Sequence, residues 1–313
     1  LSRLPVTLIF YRRPERLKTV LEALRNYRPD TLFAVSDGAP AGDHELAARV
    51  RESRHLLETA IDWPCRVERI FAETNLGLRG RVESGLDEVF SKTSFSMILE
   101  EDCIPKPEFF SFVHEVRFRW EGKEELGAIS GNCFLPAEFR SPFSYFFSRY
   151  PHIWGWATWA DRWRDHTKDD TAWPPVGGLA ALWPDMNPEE RTYWERIFGR
   201  VYNHSLETWD YRWLLSFWRH GWLAATPGEN LVENTGFGEG ATNTRDPDIS
   251  PGVERSGPLS FPLHHPHQLQ RDTEADEAVF RNHYLRMEGR MPFLPRLLRS
   301  MRKRIFGAVE PNR

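Results

Sequence analysis

Three consecutive carboxylates, Glu100-Glu101-Asp102, stand directly behind the apolar run Phe95-Ser96-Met97-Ile98-Leu99. A short apolar run bounded in this way reads as a buried strand that ends at the triplet. Carboxylates crowded at the end of a buried strand repel one another and lose hydration, so they call for a positive partner. Arg12 and Arg13 follow a similar run over residues 6–10, Asp37-Gly38 follow another over 31–36, and Glu73, Asn75 and Gly77 follow one over 65–71. In an open parallel sheet the ligand sits beyond the carboxyl ends of the strands, and all these residues converge there. Carboxylates hold a hard divalent cation, the cation bridges phosphate oxygens, and arginine takes the remaining charge. The set therefore suits a metal-bound phosphate ligand. Plainer readings stand beside this one: a solvated strand end or helix cap for the triplet, an Asx-turn for Asp37, and a solvated helix face for Arg81.

Positioning these residues takes strands that alternate with helices. Pro14 opens a helix whose Leu17, Val20, Leu21 and Leu24 share one face. Further helices are expected over 46–57, 77–90 and from Pro107 to about residue 118, and a fifth strand over 126–129. This alternation predicts an α/β fold with a mostly parallel, Rossmann-like sheet and helices on both faces. Neither Gly-x-x-x-x-Gly-Lys nor Gly-x-Gly-x-x-Gly occurs, which disfavours a P-loop NTPase and a dinucleotide-binding dehydrogenase. The second half differs. Most of the 13 Trp lie between Trp154 and Trp222, in segments 154–163, 188–200 and 208–220 that read as helices. Residues 236–258 are rich in Gly and Pro and have no periodicity, as expected of a functional loop. The chain divides into a ligand-binding lobe (1–134), a Trp-rich lobe (135–258) carrying that loop, and a C-terminal helical tail (259–313).

Composition narrows the field further. With 313 residues, 40% hydrophobic and 27% charged, the chain is an ordinary globular protein. Its net charge of -4 excludes a nucleic-acid binder that relies on bulk electrostatics. No apolar run reaches the length of a membrane span. Cys65, Cys103 and Cys133 are scattered without CxxC spacing, which points to a reducing compartment and away from a thiolate zinc site. The opening residues carry no signal-peptide pattern, so a cytoplasmic setting is expected.

The stretch Met97-Ile98-Leu99-Glu100-Glu101-Asp102-Cys103-Ile104-Pro105-Lys106-Pro107-Glu108-Phe109-Phe110 resembles the metal-binding motif of GT-A glycosyltransferases. Golgi N-acetylglucosaminyltransferase I shows the same order of strand, acidic triplet and Pro-x-Phe-Phe helix. Trp154-Gly155-Trp156-Ala157-Thr158-Trp159 and Asn234-Thr235-Gly236-Phe237-Gly238 resemble a bacterial, family-2-like group more closely still. The resemblance implies a GT-A, nucleotide-diphospho-sugar transferase fold with a Trp-rich acceptor lobe. It also implies roles. Arg12 or Arg13 would meet the diphosphate, Asp37 and Arg81 the nucleobase, Glu101 the ribose and Glu100 the donor sugar. Asp102 would ligate Mn2+ or Mg2+. Asn243 stands where those relatives have His, so the resemblance does not extend to a metal ligand from that loop.

The expected reaction is inverting transfer of a sugar from a nucleoside-diphosphate sugar to a glycan or lipid-linked glycan. Such transfer needs a base for the acceptor hydroxyl. Asp210, in Trp209-Asp210-Tyr211, resembles the family's Trp-Asp segment at a helix start, and Glu207 is the runner-up. Trp154 and Trp156 are candidate sugar platforms, since a ring face stacks on a pyranose. His264, His265 and His267 read as loop histidines ahead of metal ligands. The tail alternates Arg296, Arg299, Arg302, Lys303 and Arg304 with apolar residues, a pattern suited either to an anionic membrane surface or to packing on the body. Two rivals remain at this stage. A nucleotidyltransferase that makes the nucleotide sugar would want a Gly-rich basic loop after the first strand, and a non-catalytic carbohydrate-binding protein would need no metal.

Overall fold

Val6–Phe10 forms strand β1 because its residues are apolar or β-branched, and all five are buried. Along the chain follow α1 (Pro14–Tyr27), β2 (Thr31–Ser36), α2 (His44–Ala60), β3 (Arg66–Phe71), α3 (Gly77–Lys92), β4 (Phe95–Glu100), β5 (Cys103–Pro105) and α4 (Pro107–Arg119). The second half comprises β6 (Leu126–Ser130), β7 (Tyr145–Ser148), β8 (Trp156–Trp159), α5 (Ala160–Arg164), α6 (Gly178–Leu182), α7 (Pro188–Tyr202), α8 (Asp210–His220), β9 (Leu223–Pro227), β10 (Val232–Asn234) and α9 (Thr273–Val279). The computed structural model describes residues 3–236 and 255–286. Most of the loop expected over 236–258, with Asn243, and the basic tail from 287 lie outside the described residues.

Eight strands form one sheet in the order β3-β2-β1-β4-β8-β6-β9-β7. The first four are mutually parallel, while β8 runs antiparallel between β4 and β6. Alternating residues feed two cores. Leu8 and Phe10 pack with α1 and α4 on one face, and Ile9, Phe33 and Val35 pack with α3 and the Trp-rich helices on the other. This is the expected α/β architecture, a mostly parallel sheet with helices on both faces. Where the strands bury hydroxyls, they pair them, as Thr7 Oγ1 does with Ser96 Oγ at 2.8 Å.

Helix starts follow local chemistry. Asp43 accepts the Leu46 N–H at 2.9 Å to cap α2, and Asn187 accepts from Glu190 at 2.9 Å ahead of Pro188 in α7. One expectation needs correcting. Residues 154–163 are not one helix: they form β8 and then the short α5. Trp156 enters one core while Ala157 and Trp159 enter the other, the period-2 pattern of a central strand. A short run rich in Trp fits both periods, and pairing with β4 and β6 decides between them.

A buried histidine, His152, and a half-buried one, His283, flank one ring. Phe134 stacks on His283 at 3.6 Å and takes His152 edge-on at 4.6 Å. Burial pushes both imidazoles down to about 3. An unfolded chain takes up these protons near pH 6.5, whereas the folded one stays neutral to about pH 3, so acid favours unfolding throughout that window. Stability is expected to fall from pH 7 to pH 5 at up to about 1.4 kcal/mol per pH unit for each histidine. Thermal melts across this range check it. His283→Phe should remove about half of the histidine-dependent slope, and a parent melting temperature flat between pH 7 and pH 5 would contradict the account.

Candidate active site

β4 delivers the acidic triplet to the carboxyl edge of the sheet, where two of its members are committed to the protein itself. Glu101 accepts the Tyr11 N–H at 2.7 Å and Arg13 Nε at 2.5 Å. Asp102 Oδ2 accepts Arg13 Nη2 at 2.7 Å, and Arg16 Nη1 lies 3.8 Å away. Glu101, expected to face a ribose, has both oxygens engaged by the loop after β1 and so holds that loop in place. The two arginines differ in their partners. Arg13 neutralises Glu101 and Asp102, while Arg12 is exposed; both border an open cleft of about 520 Å³ lined also by Arg16, Arg49, Asp43 and Glu45.

Glu100 is half-buried, and no hydrogen bond to its carboxylate is found among the described residues. Burial first, and then the nearby Asp102 and Asp210 charges, push it up to about 8 against the pull of Arg13. Asp102 is fixed from the far side of the chain. The ladder of β5 with β10 sets Asn234 opposite Cys103, and the Asp102 carbonyl accepts the Thr235 N–H at 2.8 Å. A Cβ on Gly236 would stand 2.5 Å from Asp102 Oδ2, so any larger residue would have to displace the carboxylate from Arg13. Gly236 thus lies beside Asp102. Arg255 is held to the body, its guanidinium donating to the carbonyls of Gly228 at 2.6 Å and Phe139 at 2.9 Å.

Asp37 sits at the end of β2 and is buried. Its carboxylate accepts the N–H groups of Gly38 at 2.9 Å, Leu76 at 2.9 Å and Gly77 at 3.1 Å, and Asn75 Nδ2 at 3.1 Å. It thus grips the start of α3, where the first N–H groups lack helical partners. The carboxylate expected to meet a nucleobase is thus engaged by four protein donors and shapes the loop that leads into α3. Gly38 is required at this turn, because a Cβ would meet Thr74 backbone atoms at 2.6 Å. Arg81, from the second turn of α3, is also buried, and its Nε has no hydrogen-bond partner among the described residues. Burial lowers its pKa while the Asp37 charge opposes that. Sequence reasoning missed Arg54, which spans the same strand ends by donating to the carbonyls of Asp37 at 2.9 Å and Ala72 at 2.8 Å. Its helical position toward Ser36 was the only signal.

On the opposite side, Asp210 is the first residue of α8. Thr208 Oγ1 donates to its carboxylate. Burial raises Asp210 to about 6, and the backbone N–H groups of Tyr211 and of Asp210 itself pull the other way. Desolvation thus outweighs the pull of the helix N-terminus on this group. Glu207 is exposed and faces the start of α3, with Oε1 3.9 Å from where a Gly77 Cβ would be. Trp156 is only 1% exposed and packs among Trp163, Trp209 and Trp213, so it is a core ring and offers no face to a sugar. Gly155 is explained by packing as well: at φ +61° its Cβ would come 2.5 Å from Val232 Cγ2. Trp154 is half-buried, edge-on to Phe134 at 5.0 Å, and remains a candidate. His265 is structural, its Nε2 lying 3.1 Å from Glu115 and its Nδ1 3.0 Å from the Tyr145 hydroxyl.

No group of three or more His, Cys, Asp or Glu side chains among the described residues is placed to hold a metal ion. A single carboxylate nevertheless fits one. Asp102 Oδ1 has only the weak Cys103 Sγ contact at 3.8 Å, and the Asp102 and Asp210 charges that bear on Glu100 are what a divalent cation relieves. No family model matches the chain, and no curated protein matches it. Among solved structures it is similar to 4-diphosphocytidyl-2C-methyl-D-erythritol synthase from Anaerococcus prevotii (8% identity, 72% of this chain and 88% of that one, TM-score 0.36). It is also similar to a mannosyltransferase from Pyrobaculum calidifontis in complex with GDP-Man and Mn2+ (11%, 71% and 70%, TM-score 0.37). A UDP-glucose pyrophosphorylase complexed with UDP-glucose is a third (8%, 56% and 82%, TM-score 0.29). No helix among the described residues is long and apolar enough to cross a membrane.

Proposed function

We propose that the chain uses a nucleoside-diphosphate sugar and, more finely, that it is an inverting, metal-dependent glycosyltransferase. The observation that carries this reading is that the Asp102 and Asp210 charges both bear on Glu100 at the carboxyl edge of the sheet, although Asp210 is more than a hundred residues away in sequence. Mn2+ or Mg2+ held by Asp102 would supply charge neutralisation on the leaving diphosphate. Arg12 and Arg16 border the cleft that takes the rest of that charge. The loop clamped by Asp37, with Arg81 beneath it, receives the base. Glu100, on which the Asp102 and Asp210 charges both bear, faces the donor sugar. Asp210 takes the proton of the acceptor hydroxyl, with Trp154 as the remaining ring beside a glycan or lipid-linked glycan. The tail from residue 287 suits contact with an anionic membrane surface, in a cytoplasmic setting.

A thermal-shift screen tests the reading. Uridine, guanosine, cytidine, thymidine and adenosine diphosphate sugars are added with MnCl2 or with a chelator. One base class should stabilise the protein, by about 2.7 kcal/mol at a hundredfold excess over Kd, and only when Mn2+ is present. Stabilisation by none of them, or equally strong stabilisation in chelator, would overturn the proposal.

A further inference from the structure

Two rows of polar side chains meet across one short segment. On α3, Arg79, Glu83 and Asp87 recur every four residues and share a face. On α8, Arg212 and Ser216 stand four apart. Residues 166–170 run between the rows. From α3, Glu83 lies 3.5 Å from His166 Nε2, Asp87 pairs with Lys168, and Arg79 donates to the Lys168 carbonyl at 3.3 Å. From α8, Ser216 Oγ accepts the Thr167 N–H at 2.9 Å and meets His166 Nδ1 at 3.1 Å. The rows join at Asp170, whose Oδ1 accepts Arg212 Nη2 at 2.5 Å and lies 3.5 Å from Arg79 Nη1.

The place of this junction matters. Arg79 is two residues into α3, next to the N–H groups that Asp37 grips, and Arg212 is two residues beyond Asp210 in α8. The clasp therefore lies level with both helix starts, while the apolar contact of the two helices with their common core lies deeper, at Val82, Leu86, Trp213 and Phe217. The Arg212 side chain is 1% exposed, and Asp170 is the carboxylate paired with it among the described residues. The Lys168 carbonyl at 3.5 Å and the face of Tyr202 at 4.5 Å are weaker partners. A buried guanidinium tolerates the loss of its carboxylate poorly, so Arg212 is held where Asp170 stands.

We propose that Asp170 is a positioning residue: through Arg79 and Arg212 it ties the start of α3 to the start of α8, so that order imposed on the donor loop reaches Asp210. The names donor loop and base rest on the function proposed above; the clasp itself does not. Asp170 touches no reacting atom. It acts by fixing where α8 begins relative to the loop that Asp37 holds.

Hydrogen exchange on the full chain tests this, read by mass spectrometry on peptides covering residues 74–82, 208–217 and, as an internal control, 95–100. Arg79→Met cuts the link to α3 and leaves the Asp170–Arg212 pair in place, so folding is retained. Asp170→Asn weakens both links. Without ligand, both variants should exchange at least about threefold faster than the parent over 208–217, with 95–100 unchanged. In the parent, UDP, GDP, CDP, dTDP or ADP with MnCl2 should slow exchange over both 74–82 and 208–217. In Arg79→Met the slowing should stop at 74–82. Exchange over 208–217 that matches the parent in both ligand-free variants would overturn the clasp. So would nucleotide protection that reaches 208–217 undiminished in Arg79→Met. If no nucleotide slows 74–82 in the parent, the donor assignment falls, and the ligand-free comparison still decides the clasp.

Discussion

Asp210→Asn is expected to lower sugar transfer by about 10²–10⁴-fold, the usual loss when a general base is removed. Asparagine keeps the size of the side chain and can still accept from the Thr208 hydroxyl, so the start of α8 should hold its place. It cannot take a proton. Affinity for a nucleoside diphosphate with MnCl2 should therefore stay within about twofold of the parent, since donor binding makes no use of the base. The pH dependence follows from burial. With Asp210 raised to about 6, the base form grows as pH rises through that value, so transfer should climb between pH 5 and pH 7 and level off above. Glu207→Gln should do much less, because Glu207 is exposed and faces the start of α3. The measurement is nucleoside diphosphate released from the donor that the thermal screen selects, alongside donor affinity, for both variants. Near-parent transfer by Asp210→Asn, or loss of transfer in Glu207→Gln instead, would place the base elsewhere.

Asp102→Ala should remove the dependence of nucleotide binding on Mn2+. Calorimetry is expected to give the variant one affinity with MnCl2 and with chelator, equal to that of the metal-free parent. The fold should survive. Arg13 keeps Glu101 at 2.5 Å, and because its side chain remains 22% exposed, the lost ion pair contributes only on the order of 1 kcal/mol. Gly236 should tolerate alanine better in this background, because the Asp102 carboxylate that a Cβ would strike is gone. A variant that still binds nucleotide more tightly with Mn2+ would show that the metal is held by other groups.

Much of this molecule is legible in its residues, and the legible part has a common physical basis. Apolar runs such as 6–10 and 95–99 are too short and too uniformly buried to be anything but inner strands once Pro14, Gly77 and Pro107 mark the helix starts between them. Their order then fixes a mostly parallel sheet and sends Glu100-Glu101-Asp102 to its carboxyl edge. Chemistry that depends on position along a single strand was within reach of sequence reasoning. What only the tertiary structure decided was the choice of partner. Adjacent side chains on one loop look alike until packing separates them, so Arg13 could not be told from the exposed Arg12. Nor could three of the four donors around Asp37 be foreseen, since Asn75, Leu76 and Gly77 come from a loop some forty residues away. The run 154–163 shows the same limit in secondary structure. Its tryptophans fit a helix or a strand, and only the two neighbouring strands make it β8. With that choice Trp156 became a core ring, and Gly155 a packing glycine against Val232. The effect of Asp210 on Glu100 lies deepest in this class, because a carboxylate so far away in sequence acts on another only after the fold has brought them near, where burial makes the charge felt.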